Sequence, residues 1–250
     1  MKAAVIFETM HGSGRHRATR TDQSLVSLAT ADAAMSVAPR LGRRQLSALA
    51  APPVLIVSTY IAFQVFTDWF GPRWGYIGGF VFFWAVWCFG FSLWAIGPGG
   101  VAAVLRSSRP RFPRPAALWL ALLVIPVVGG LVTRLLPELA GATIAVLGMA
   151  LLIAVLNAIA EELLWRGVYI RLFPGRMVAG WLYPAVFFAL WHVSPTSVRG
   201  SALVLVPTAA FLGLLYGWIA QKTGTIRYTV IAHALVNAMG LGFALLVLQG

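Results

Sequence analysis

The chain has 250 residues, of which 60% are hydrophobic and only 10% charged, and its mean hydropathy is +0.84. Because soluble domains carry about 25% charged residues, this composition excludes an ordinary soluble protein and predicts an integral membrane protein. The net charge of +12 would suit nucleic acid, but the basic residues fall between apolar segments, so we expect a lipid bilayer as partner and no nucleic acid.

The amino-terminal segment, residues 1–44, contains Ser, Thr, Gly and Arg without sustained periodicity. Its first apolar patch ends at Glu8 and is too short for the apolar region of a signal peptide. We predict a disordered basic arm over 1–44 and a transmembrane domain over 45–250. The only cysteine, Cys88, lies in an apolar run, which excludes an intrachain disulfide.

The remaining sequence predicts an all-α, polytopic transmembrane helical bundle with about seven spans. An eighth, re-entrant or interfacial helix stays open as an alternative. The longest connection, 97–115, is rich in Pro and Gly and is predicted to be a loop. The predicted spans lie near 46–66, 77–97, 117–136, 142–165, 178–194, 202–220 and 228–248.

The distribution of Lys and Arg predicts the orientation of these spans. With a cytoplasmic amino terminus, the inner connections carry most of the basic residues, whereas the outer ones carry Arg73 and Arg199, with Arg134 near the outer end of the third span. We therefore predict seven spans with the amino terminus inside. The basic residues assigned to the inner side are Arg40, Arg43, Arg44, Arg106, Arg109, Arg111, Arg114, Arg166, Arg171, Arg176, Lys222 and Arg227.

A few ionisable residues occur inside the predicted spans, where their burial is unfavourable and function is the usual reason for keeping them. Glu161 and Glu162 are the only carboxylates on a predicted span, and His192 and His233 both lie in apolar helices. Each of these alone has a structural explanation, such as an ion pair at the membrane rim or an interhelical hydrogen bond. Their occurrence together favours one shared site.

The spacing of these residues indicates which side chains share a helix face. Glu162 and Arg166 are four residues apart, as are His233 and Asn237, so each pair lies on one face. Glu161 points about 100° away from Glu162. One carboxylate can thus pair with Arg166 while the other faces a cavity.

Two chemistries fit such a set of side chains. Glu161, His192 and His233 can hold Zn²⁺, or a glutamate can act as general base on water. The Asn237 amide can donate to the oxyanion of a tetrahedral intermediate. The sequence contains neither the Gly-x-Ser-x-Gly motif of serine hydrolases nor the HExxH motif of common zinc proteases.

The motifs EELLWR (161–166), FALWH (188–192) and HALVN (233–237) occur in an order that resembles the CAAX-protease and bacteriocin-processing family of intramembrane metalloproteases, also called the abortive-infection family. The resemblance covers about 140–245. It implies that Glu161 activates water, that Glu162 supports the site and pairs with Arg166, that His192 and His233 bind a metal or polarise the reacting groups, and that Asn237 forms the oxyanion site. It also implies a bacterial-type plasma membrane as location.

The leading hypothesis from the sequence is an intramembrane endopeptidase that cleaves a hydrophobic or lipid-anchored peptide near the cytoplasmic leaflet. A non-catalytic membrane interaction or immunity protein and a small-solute transporter are the alternatives. Counted at about 1.5 Å per residue, His192 lies too far from Glu161. The conflict is resolved if the fourth predicted helix continues to about Leu172, helped by a later start or a strong tilt of the fifth, or if 194–201 is not a true outer loop. Both alternatives stay open.

Overall fold

The computed structural model describes residues 41–106 and 114–249. Within these ranges the chain is helical and has no β-strand. Residues 1–40 of the predicted disordered arm lie outside the described residues. The last two residues of the arm, Arg43 and Arg44, already belong to the first helix. All of the helices belong to one unit that begins at Gly42.

The helices follow one another with short connections, and π-helical segments continue several of them without a break. In chain order they are α1 (Arg43–Phe82), a π segment (Phe83–Phe91), α2 (Ser92–Arg106), α3 (Ala116–Gly130), a π segment (Leu131–Leu135), α4 (Leu136–Leu139), α5 (Ile144–Glu162), a π segment (Leu163–Gly167), α6 (Val168–Leu172), a π segment (Val178–Leu182), α7 (Tyr183–Trp191), α8 (Val193–Thr196), α9 (Ala202–Thr223), α10 (Arg227–Ala238) and α11 (Gly242–Gln249).

Helix α1 reverses its direction at Gly71, where φ is 78° and ψ is 168°. Only glycine adopts this conformation readily. The two limbs then pack tightly, since a Cβ added to Gly79 would lie 2.3 Å from the Phe63 ring and one added to Gly75 would lie 2.2 Å from Thr67 Oγ1. The glycines on the second limb therefore allow a close helical hairpin.

The connection predicted over 97–115 is wrong for its first part. The chain breaks at Gly97, where φ is 67°, but the helix then continues to Arg106. Pro98 does not prevent this, because proline fits the first turn of a helix, where no amide hydrogen bond is lost. Residues 107–113 of the predicted loop lie outside the described residues.

Four helical segments of the described chain are long and apolar enough to cross a membrane, or five if α10 and α11 form one span bent by 62°. The predicted count of about seven is not confirmed. One reason is that residues 178–191 form only a five-residue π segment and the nine-residue α7, shorter than the roughly 20 residues that a bilayer requires. A second reason is that the 64-residue segment Arg43–Arg106 is one of the four segments, although it reverses its direction at Gly71 and contains two of the predicted spans.

Of the alternatives for the depth of His192, the structure has the continuation of the fourth predicted helix, since Ile144–Leu172 forms one helical segment of 29 residues. Its π segment, Leu163–Gly167, follows directly after the two glutamates, and π turns inside α-helices often occur at functional sites. Around it lies a largely aromatic core in which the rings of Phe83 and Trp191 stack at 4.0 Å between centroids. This core holds α5 and α7 against the hairpin of α1.

Candidate active site

The two glutamates at the end of α5 are both buried, with Glu161 2% and Glu162 0% exposed. The predicted pair is present: Arg166 Nη1 lies 2.9 Å from Glu162 Oε1. The Arg166 guanidinium also lies over the Phe188 ring, 4.2 Å from its centroid. Since Arg166 is only 2% exposed, this ion pair is shielded from solvent and fixes Glu162 in place.

His233, on α10, contacts both glutamates. Its Nδ1 lies 2.9 Å from Glu162 Oε1 and its Nε2 lies 3.6 Å from Glu161 Oε2. Because an ionised carboxylate can only accept a hydrogen bond, Glu162 orients the ring by accepting from Nδ1–H. The other ring nitrogen therefore faces Glu161 at 3.6 Å, just beyond hydrogen-bond distance.

His192 lies at the carboxyl end of α7, and its ring also contacts Phe188, at 4.8 Å between centroids. Its Nδ1 is 2.7 Å from the Phe188 carbonyl oxygen. A carbonyl oxygen accepts only, so Nδ1 carries the proton, and in the neutral ring Nε2 is the free acceptor. The Phe188 ring lies 6.1 Å from that of His233. Both histidine rings thus pack against the ring of Phe188.

Two cavities adjoin these residues. Cavity A, about 490 Å³, has Tyr76, Phe80, Trp84, Phe243, Asn157 and Arg199 in its lining. Cavity B, about 380 Å³, has His192, His233, Gly129, Gly130 and Thr208 in its lining. Asn237, Arg134, Leu205 and Gly240 line both.

Asn237 thus lies where the two cavities meet, and its buried Nδ2 has no hydrogen-bond partner among the described residues. A buried amide nitrogen without a partner is unfavourable, by about 1–3 kcal/mol, and calls for a water molecule or ligand as acceptor. Glu161 lines neither cavity, whereas its neighbours Asn157 and His233 each line one. The site thus combines an enclosed carboxylate with an imidazole that lines cavity B and a free amide donor that lines both cavities.

Two features of the site escaped the sequence interpretation. The Trp84 indole donates from Nε1 to Asn157 Oδ1 at 2.8 Å, and the Asn157 side chain in turn interacts with the Glu161 carboxylate. Arg134 and Arg199 were assigned to outer ends and loops but also line cavity A. Residue spacing could not reveal the Trp84 contact, because Trp84 and Asn157 are 73 residues apart. Asn157 and Glu161, in contrast, are four residues apart, and that spacing places them on one helix face.

The predicted zinc ligands, Glu161, His192 and His233, stay an expectation from the sequence. In the described part of the chain, no three His, Cys, Asp or Glu side chains are grouped so that they could hold a metal ion. Structural and catalytic zinc sites need at least three such ligands, each about 2.0–2.3 Å from the metal. Glu161 and His233 are close neighbours, but His192 does not join them, and His233 Nδ1 is held by Glu162.

The whole site lies within a segment that matches a known family. Residues 143–239 match a family model described as Rce1-like: Type II CAAX prenyl endopeptidase Rce1-like. Over this segment the chain is similar to that family. This confirms the resemblance to the CAAX-protease family, and the match, over less than half of the chain, contains all six predicted site residues. Neither the curated proteins nor the solved structures gave a match.

The Rce1-like segment coincides with structural boundaries. It begins at Thr143, the amino-terminal cap of α5, whose Oγ1 accepts a hydrogen bond from Val146 N. It ends at Met239, the carboxyl-terminal cap of α10. The matched segment therefore corresponds to the helices from α5 to α10. Cavity A is completed by the α1 hairpin and Trp84, which lie outside this segment.

Proposed function

We propose that the chain is a CAAX-protease-like intramembrane endopeptidase that hydrolyses a peptide bond in a hydrophobic or lipid-anchored substrate. The observation that carries the proposal is the pairing of Glu161 with His233 Nε2 at 3.6 Å, beside an unpaired buried amide of Asn237. A base, its partner and an oxyanion donor are the groups that peptide hydrolysis with activated water requires.

In the proposed reaction, Glu161 takes a proton from a water molecule, and the resulting hydroxide attacks the carbonyl carbon of the peptide. The C=O bond becomes a C–O⁻ single bond, and Asn237 Nδ2–H donates to this oxygen. Collapse of the intermediate breaks the C–N bond, and the proton held by Glu161 passes to the leaving amine. Atoms and charges balance without a further reactant.

The other side chains have supporting roles in this proposal. Glu162, held by Arg166, orients the His233 ring. His192 lines cavity B, and its Nε2, which is free to accept, can hold the water molecule or a hydrogen-bond donor of the substrate. Zinc stays an expectation from the sequence, and because the side chains do not form a metal site, we assign no step to it.

The test compares peptide termini in membranes from cells that express wild type, Glu161→Gln or Glu138→Gln at matched levels. Glu138 is an exposed residue of α4, away from both cavities, so it controls for the loss of one carboxylate. Termini present with wild type and with the control, but absent with Glu161→Gln, are the expected result. Identical termini in all three samples across several growth conditions would favour the non-catalytic interaction or immunity function.

We further propose that the protein resides in a bacterial-type plasma membrane with its amino terminus in the cytoplasm. The support is the placement of Lys and Arg along the sequence, which favours the cytoplasmic side for the basic connections. In that orientation Arg43–Arg106 crosses the membrane and returns, with its turn at Gly71 on the outer side.

A further inference from the structure

The bundle has two distinct ends, which interhelical contacts define. At one end, the basic end, Gln45 donates from Nε2 to the Leu172 carbonyl at 2.7 Å, and Ile226 N donates to the Val104 carbonyl at 3.0 Å. At the other, the cavity end, Arg73 donates to the Val247 carbonyl at 2.6 Å and Gln64 to Ser197 Oγ at 2.7 Å. These hydrogen bonds therefore show which helix ends and interhelical connections lie together at each end of the bundle.

The charges differ strongly between the two ends. The cavity end holds Arg73, Arg134 and Arg199. Since Lys and Arg concentrate on the cytoplasmic side of membrane proteins, the basic end is the cytoplasmic one. The described basic residues at that end are Arg43, Arg44, Arg106, Arg114, Arg171, Arg176, Lys222 and Arg227.

Both cavities belong to the opposite half of the bundle. Cavity A is lined by Tyr76 and Phe80, which follow the Gly71 turn, and by Gly200 and Ser201, which precede α9. Arg199, Gly200 and Ser201 are exposed, so the cavity reaches the surface there. Cavity B is lined on α9 by Leu205, Thr208, Ala209 and Leu212, from the first half of that helix.

Toward the basic end, the site is covered by tightly packed side chains. Every residue from 160 to 170 is buried. Trp165 and Tyr169 are each 1% exposed, and Tyr216 and Ile219 of α9 are 0% exposed. This packing lies between the glutamates and the cytoplasmic connections, whereas the cavities lie on the other side.

From this arrangement we infer that the site is reached from the extracytoplasmic face, through the cavities that His233 and Asn237 line. Its substrates are then apolar peptide segments that lie outside the cytoplasm or in the outer leaflet, rather than lipidated tails in the cytoplasm. The substrate class rests on the proposed protease function, but the direction of access does not. The inference differs from the expectation of a site near the cytoplasmic leaflet.

Cysteine accessibility tests the direction of access independently of catalysis. Cys88 is the only cysteine of the chain and is fully buried. Replacing it in a Cys88→Ser variant therefore leaves no other thiol, and each probe is then a single cysteine introduced into that variant. Ser201→Cys probes the mouth of cavity A, Ala154→Cys probes its interior, and Ala103→Cys, exposed next to Val104, probes the basic end. Intact cells are treated with a membrane-impermeant thiol reagent, once with and once without permeabilisation.

We expect Ser201→Cys and, more slowly, Ala154→Cys to react in intact cells, and Ala103→Cys to react only after permeabilisation. Reaction of Ser201→Cys only after permeabilisation would overturn the inference, as would an Ala154→Cys probe that stays unreactive from the outer side. The same labelling in a Glu161→Gln background separates this result from the proposed function, since the variant removes hydrolysis but not access. Peptide termini lost in Glu161→Gln cells should map to extracytoplasmic segments, and cytoplasmic termini would contradict the proposed substrate class.

Discussion

His233 Nε2 lies 3.6 Å from Glu161 Oε2, while Nδ1 of the same ring is held by Glu162 at 2.9 Å. One glutamate thus fixes the imidazole that faces the other. The adjacent carboxylates of the EELLWR motif consequently have different surroundings, and separate roles follow from this difference. Each can be tested by a variant that leaves the shape of the side chain nearly unchanged.

Glu162→Gln should destabilise the protein, because it leaves the buried guanidinium of Arg166 without its carboxylate partner. Removing one member of a buried ion pair lowers the free energy of unfolding by about 3–5 kcal/mol. Thermal unfolding of the detergent-solubilised protein measures the change, with exposed Glu138→Gln as the matched control. Equal melting temperatures for the two variants would show that the pair does not stabilise the fold.

Asn237→Ala should lower kcat about 10²–10³-fold while KM changes little, since an oxyanion donor acts mainly in the transition state. The unpaired amide nitrogen of Asn237 is the basis for this expectation. The measurement is steady-state cleavage of a peptide identified from the comparison of termini. A rise in KM at unchanged kcat would instead assign Asn237 to ground-state binding.

Chelation should leave activity unchanged, because the described side chains form no group that could hold a metal ion. The purified protein is treated with a zinc chelator, and zinc content and peptide cleavage are measured before and after. Activity that is lost with the zinc and returns on adding it would contradict this prediction. It would also require His192 to move toward Glu161 and His233.

The sequence predicted the members of the site because their spacing has direct geometric meaning. Residues four apart lie on one helix face, and the Glu162–Arg166 pair follows that rule. The continuation to Leu172 was one of the alternatives that the sequence left open, since Pro174 marks the next interruption and a longer helix would reduce the difference in depth between Glu161 and His192.

The number of membrane spans and the contacts that support the site residues could not be predicted from the sequence in the same way. Hydropathy identifies an apolar run near 178–194 but does not indicate that its helix ends at Trp191, too short to cross alone. Likewise, Trp84 and Asn157 are 73 residues apart, and no periodicity connects them. Such contacts depend on how the α1 hairpin packs against α5, which only the folded chain reveals.

Gly79→Ala should destabilise the α1 hairpin, because the new Cβ would lie 2.3 Å from the Phe63 ring. Overpacking of this kind lowers the free energy of unfolding by about 1–3 kcal/mol. Gly148→Ala is the matched control, since it also exchanges a helical glycine but has open space around it. We expect a lower melting temperature for Gly79→Ala alone, and equal shifts for both would mean that the limbs can separate freely.

Trp84→Phe should reduce kcat several-fold without unfolding the protein. Phenylalanine keeps an aromatic ring in cavity A but lacks the indole N–H that holds Asn157 Oδ1 at 2.8 Å. The freed Asn157 amide can then rotate away from Glu161, with which it interacts. Trp84 acts through Asn157, so it is a positioning residue.

A change in the pH dependence of kcat distinguishes this positioning role from a structural one, because the surroundings of the Glu161 carboxylate change only if Asn157 moves. Trp94→Phe serves as the control, since Trp94 is 48% exposed and does not line cavity A. We expect Trp84→Phe to shift the pH profile and Trp94→Phe to leave it unchanged. A lower kcat with an unshifted profile would mean that Trp84 shapes the cavity but does not orient Asn157.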